Sequence, residues 1–101
     1  MSDITKLVTL GVITREIELA DMKIKLVTPN ADAIKGAGVG DIIAQFISSI
    51  DGKSYGGEED KKMLIAVVSQ MQSGVVSKII DICNEMLVEQ SELVEGFFSK
   101  K

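Results

Sequence analysis

The chain has 101 residues, enough for one domain with an aliphatic core and no need of disulfides. Its net charge of −4, with no basic cluster beyond Lys61-Lys62 and Lys100-Lys101, argues against a nucleic-acid surface, and three Phe, one Tyr and no Trp supply few platforms for stacked bases. No His and a single cysteine, Cys83, leave no Cys–His pair for nucleophilic catalysis and no internal disulfide.

Ser2 to Thr9 is weakly patterned and fits either a frayed start or a first short strand. Met1 to Lys6 lacks a basic region followed by an apolar run, so no signal peptide is expected. Apolar runs stay short of the roughly eighteen residues that a membrane span needs, and the expected location is the cytoplasm.

From Val12 to Leu19 the pattern alternates, with Ile13, Arg15, Ile17 and Leu19 on one face and Thr14, Glu16 and Glu18 on the other. Met22 to Val27 alternates too, setting Met22, Ile24 and Leu26 against Lys23 and Lys25. Period two means strands. A hairpin closed over Ala20-Asp21 pairs Leu19 with Met22, Ile17 with Ile24, Glu18 with Lys23 and Glu16 with Lys25. Apolar then meets apolar and acid meets base, and a one-residue slip loses both matches. Ala-Asp is not a favoured tight-turn pair, so the pairing is a firmer expectation than the turn type.

Thr28 is read as the N-cap of a helix, with Pro29 at its first position and Asp32 in its first turn. Ile34 and Ala37 start its apolar face, which Gly36, Gly38 and Gly40 interrupt. That glycine run has neither the Lys-Ser/Thr of a phosphate loop nor the third glycine of a dinucleotide fingerprint, and reads as a hinge between helices. Asp41 to Ile50 is the next expected helix, with Ile42, Ile43, Phe46, Ile47 and Ile50 on one face. The stretch from Ser48 to Gly57 is a loop by composition. The spacing of Asp51 and Gly56 suggests a calcium loop, but Lys53, Tyr55 and Lys62 stand where oxygen ligands should. Glu58-Glu59-Asp60 opens a helix as a dipole-matched first turn rather than a metal site.

Met63 to Leu87 carries most of the core. Apolar pairs at 63/64, 67/68, 75/76, 79/80, 82/83 and 86/87 repeat at helical spacing. Gln72-Ser73-Gly74 is read as a break, with a second helix starting at Ser73 or Gly74; one long kinked helix is the alternative. Cys83, beside Ile79 and Ile82, reads as a small buried hydrophobe. Leu93, Val94, Phe97 and Phe98 keep helical spacing and are the candidate partner-binding residues, either docked on the core or forming an apolar arm for a neighbour. The expected fold class is α+β in a single domain, 1–101: an N-terminal antiparallel β-hairpin, residues 1–28, packed on a bundle of roughly three to four α-helices over 29–98. No cofactor, metal or catalytic residue is expected, and neither a membrane nor a nucleic acid is an expected partner.

The order of pieces carries a resemblance: a charged-outside hairpin, Thr28-Pro29, a helix running into Phe46-Ile47-Ser48-Ser49-Ile50-Asp51-Gly52-Lys53, then Glu58-Glu59-Asp60, Leu64 and a long helix. Over roughly residues 11 to 90 it resembles the small tail assembly chaperones of long-tailed bacteriophages and the related baseplate-assembly proteins. The resemblance implies a cytoplasmic, non-enzymatic protein of the infected bacterium. Such proteins self-associate and coat the aggregation-prone tape measure protein until the tail tube polymerises around it. That family works through apolar surfaces, so no residue roles carry over. The alternative is a structural subunit or small adaptor of a viral assembly, in which the hairpin edge adds strands to a neighbour.

Overall fold

A computed structural model of the chain describes residues 6–35 and 38–98. The elements run α1 (Lys6–Thr9), β1 (Thr14–Leu19), β2 (Met22–Val27), α2 (Ala31–Ile34), α3 (Val39–Phe46), β3 (Ile47–Ile50), β4 (Lys53–Ser54), α4 (Glu58–Ser69) and α5 (Ser73–Glu95). The fold is α+β. Among the described residues there is one sheet, of order β1-β2-β3-β4 and antiparallel throughout. Residues 2–5 of the weakly patterned start, and Gly36 and Ala37 of the glycine run with the face drawn from them, lie outside the described residues. Residues 6–9 form one helical turn rather than a strand.

The β1–β2 register is the one the alternation predicts, from Leu19 opposite Met22 to Glu16 opposite Lys25. Ala20 and Asp21 both take positive φ, 50° and 69°, as a two-residue type I′ turn requires. Pairing and burial therefore override a poor turn dipeptide. Ile24 and Leu26 are buried, while Lys23 and Lys25 face solvent. Although Glu16 and Glu18 sit across from Lys25 and Lys23, the ion pairs among the described residues are made elsewhere.

Three expectations need correction. The helix drawn from Asp41 to Ile50 ends at Phe46, and Ile47–Ile50 is strand β3, paired with β2. Ile47 and Ile50, three apart, fit a helical face; in the strand they come opposite Leu26 and Ile24 because the register shifts by one residue between Lys25 and Leu26, an irregularity the spacing does not reveal. What decides is the open edge of β2. The supposed loop is then a second hairpin, turning through Asp51 (φ 51°) and Gly52 (φ 85°) into β4. Asp51 is tied to the sheet twice: its Oδ1 accepts the Lys23 N–H at 2.8 Å, and its own N–H donates to the Lys23 carbonyl at 2.7 Å. Two of the four strands among the described residues thus come from the stretch expected to hold the end of a helix and a loop. The third correction is the cap of α2. Asn30, not Thr28, is its N-cap, with Oδ1 accepting the Ala33 N–H at 2.8 Å.

The core is built around α3, where Ile43, Ala44 and Phe46 are fully buried. Ile24 and Leu26 meet it from the sheet, Leu64 and Val68 from α4, and Ile79, Cys83 and Met86 from α5. Of the apolar pairs at 63/64 and 67/68, only Leu64 and Val68 turn inward; Met63 and Val67 are exposed. The break between α4 and α5 is present, with Gln72 at the cap and Ser73 as the first helical residue. Lys61 closes the other end of α3. Its Nζ donates to the Ala44 carbonyl at 2.9 Å and to the Ile47 carbonyl, where the helix has run out of N–H donors. Partial burial of this ammonium lowers its pKa from the ordinary lysine value.

Candidate interaction surface

Helix α5 has 23 residues and is therefore about 35 Å long, most of the molecule's 48 Å longest dimension. Its buried stripe, Ile79, Cys83 and Met86, continues into half-buried Gln90 and Val94 at helical spacing. The polar members of this interface fix the register. Arg15, on the inner face of β1, reaches Glu85 at 2.8 Å and Glu89 at 3.0 Å, one turn apart on α5. Its guanidinium pKa is pushed up, chiefly by the hydrogen bond with Glu85. Further along, the Gln90 Nε2 donates to the Gly11 carbonyl at 3.0 Å and to the Thr28 hydroxyl at 3.2 Å. Thr28 is buried, and its hydroxyl also accepts the Ile13 N–H at 3.0 Å. The residue expected to cap α2 instead anchors the start of β1 and the far end of α5.

Gly11 is buried with φ of 82°, a conformation that suits glycine. A Cβ there would stand 2.9 Å from Val94 Cγ2 and 3.9 Å from Cε2 of Phe97. This close approach brings the residues before β1 against the last turns of α5. The chain continues past Glu95 in tight turns, the Phe97 N–H donating to Val94 and the Phe98 N–H to Glu95.

The four candidate residues therefore divide. Val94 docks against Gly11, and Phe97 touches the same place while remaining 46% exposed. Leu93 is 41% exposed and Phe98 69%. Docking and exposure both occur, on different side chains. Residues not among the four candidates join them: Leu7, Val8, Leu10 and Val12 are exposed. With Thr28 and Pro29 they line a groove of about 730 Å³ that extends to Gln90. In total, seven of the eleven large apolar side chains exposed among the described residues belong to these two segments, 7–12 and 93–98, which Gly11 joins. Single exposed apolar residues need no explanation, but a concentration of this kind makes this end the candidate interaction surface. Glu92 and Glu95, both exposed, give its helical margin an acidic character.

Among the described residues no group of three His, Cys, Asp or Glu side chains could hold a metal ion. Cys83, 1% exposed, is held protonated by burial, which pushes its thiol pKa up to about 11. No helix among the described residues is long and apolar enough to cross a membrane. Set against known proteins, the chain finds no matching family model, no matching curated sequence and no matching solved structure.

Proposed function

We propose that the chain is a non-enzymatic assembly chaperone of the kind made for phage tails, working in the cytoplasm of the infected cell. It self-associates and covers a helical, apolar client such as a tape measure protein. The observation that carries this reading is the exposed apolar end formed by residues 7–12 and 93–98. Such a surface has the character of a reversible covering for apolar helices, and its acidic margin at Glu92 and Glu95 favours a client with basic residues beside its apolar stripe. The absence of His and the buried, protonated state of Cys83 agree with a role in binding rather than chemistry. The test is whether association depends on Phe97 and Phe98: light scattering across a concentration series should show oligomers that serine substitution of the pair diminishes.

A further inference from the structure

The outer edge of the sheet is a separate surface with its own chemistry. β1 is the edge strand, and no element among the described residues pairs with its free side. In an antiparallel ladder, bonded and non-bonded pairs alternate. The Thr28 N–H donates to the Ile13 carbonyl at 3.0 Å, so counting on from this bonded pair leaves the backbone groups of Thr14, Glu16 and Glu18 directed to the free edge. The side chains of those three residues are exposed on the outer face. Beneath the edge, Ile17 and Leu19 face Val75, Ile79 and Ile82 of α5 across an apolar groove of about 560 Å³. Glu18 marks its strand margin and Lys78 its helix margin.

We propose that the β1 edge and this groove accept an extended segment of a partner protein in which apolar and basic residues alternate. The segment adds as a fifth strand and hydrogen-bonds to the main chain of Thr14, Glu16 and Glu18. Its basic side chains lie on the outer face opposite Glu16 and Glu18, and its apolar side chains enter the groove. The template for this occupant is inside the molecule. β2, on the other side of β1, reads Met22-Lys23-Ile24-Lys25-Leu26 and sets Lys23 and Lys25 opposite the same two glutamates. A second copy of β1 does not fit. Only a register that sets residues with free-edge backbone groups opposite one another can bond, and each such register that pairs more than one residue of β1 places Glu16 or Glu18 opposite one of these glutamates, or Arg15 opposite Arg15; like charges directly opposed are destabilising.

The experiment is an NMR titration of the whole isotope-labelled chain with a blocked hexapeptide alternating valine and lysine. The expected result is amide shifts at Thr14, Glu16 and Glu18 and methyl shifts at Ile17, Leu19 and Val75. The same peptide with glutamate for lysine should bind weakly or not at all. Affinity should fall about tenfold in Glu16→Lys with Glu18→Lys, as cross-strand charge pairs turn repulsive. Glu16→Gln with Glu18→Gln, which leaves no repulsion across to β2, should give an intermediate loss. Equal binding of the glutamate peptide overturns the proposal, as do shifts centred on β4 or on the Phe97–Phe98 end, or no shifts at millimolar peptide. Broadening of the β1 amides that grows with protein concentration alone would assign the edge to a second copy, also against the proposal.

Discussion

Gln90 bonds the carbonyl oxygen of Gly11 at 3.0 Å, across 79 residues of sequence, and so joins the end of α5 to the segment that precedes the sheet. The same amide nitrogen reaches the buried Thr28 hydroxyl at 3.2 Å. Replacing Gln90 by Leu keeps the bulk and removes both bonds, which should cost about 1–2 kcal/mol, the penalty for part-buried polar groups left short of partners. Urea denaturation measures it: the midpoint should fall with an unchanged slope. An unchanged midpoint would mean that water serves Gly11 and Thr28 equally well.

The Lys61 ammonium joins α4 to the end of α3 through the carbonyls of Ala44 and Ile47. Lys61→Met preserves the aliphatic stem and discards the donors. A destabilisation of about 1–2 kcal/mol is expected for this half-exposed charged hydrogen bond. Loss of amide-exchange protection should begin at Ile47–Ile50, where α3 turns into β3. Uniform loss of protection over the whole sheet would instead show that the contact supports global packing.

Cys83 gives the fold an alkaline dependence. Burial raises its thiol from an ordinary value of 9.0 to about 11 in the folded chain. Between those values the unfolded chain has lost the proton and the folded chain keeps it. The stabilisation is thus complete below pH 9 and is lost as pH rises toward 11. The loss should reach on the order of 2 kcal/mol at the upper end of the window. Cys83→Ala, itself destabilised by the lost volume, should lack this component of the pH slope. Thermal unfolding of both proteins from pH 8 to 11 separates the thiol from the lysines, which titrate in both. Parallel curves would contradict the assignment.

The first hairpin was legible because three signals agreed: period-two alternation, apolar pairing on one side and opposite charges on the other. The break at Gln72 was legible because the apolar spacing restarts after Gly74. The second hairpin was hidden. Ile43, Phe46, Ile47 and Ile50 continue one helical face on paper, and only Asp51-Gly52 signals a turn. What makes 47–50 a strand is the unpaired edge of β2, a tertiary fact. Thr28 followed by Pro29 has the local form of a cap, yet its hydroxyl meets the Ile13 N–H and Gln90, partners that only the folded chain provides. At the candidate surface, Phe97 and Phe98 stood out because two of the chain's three Phe fall together at the end of a helically spaced apolar run. Leu7, Val8 and Leu10 did not, since their spacing has no period and pointed to no element, and Val12 was read into the alternating strand.

The central claim is that the end carrying Phe97 and Phe98 is an association surface. Phe98, the more exposed of the two, allows it to be tested with little effect on the fold. The measurement is solution mass by light scattering behind a sizing column, at several concentrations, for the native chain, Phe98→Ser, and Phe97→Ser with Phe98→Ser. We expect a native mass that rises with concentration above the 10.9 kDa of the monomer, and a shift toward monomer in both variants, with the melting temperature of Phe98→Ser close to native. A native chain that is monomeric at every concentration would contradict it. So would variants whose oligomers persist while their melting temperatures fall steeply, for the two phenylalanines would then be part of the core.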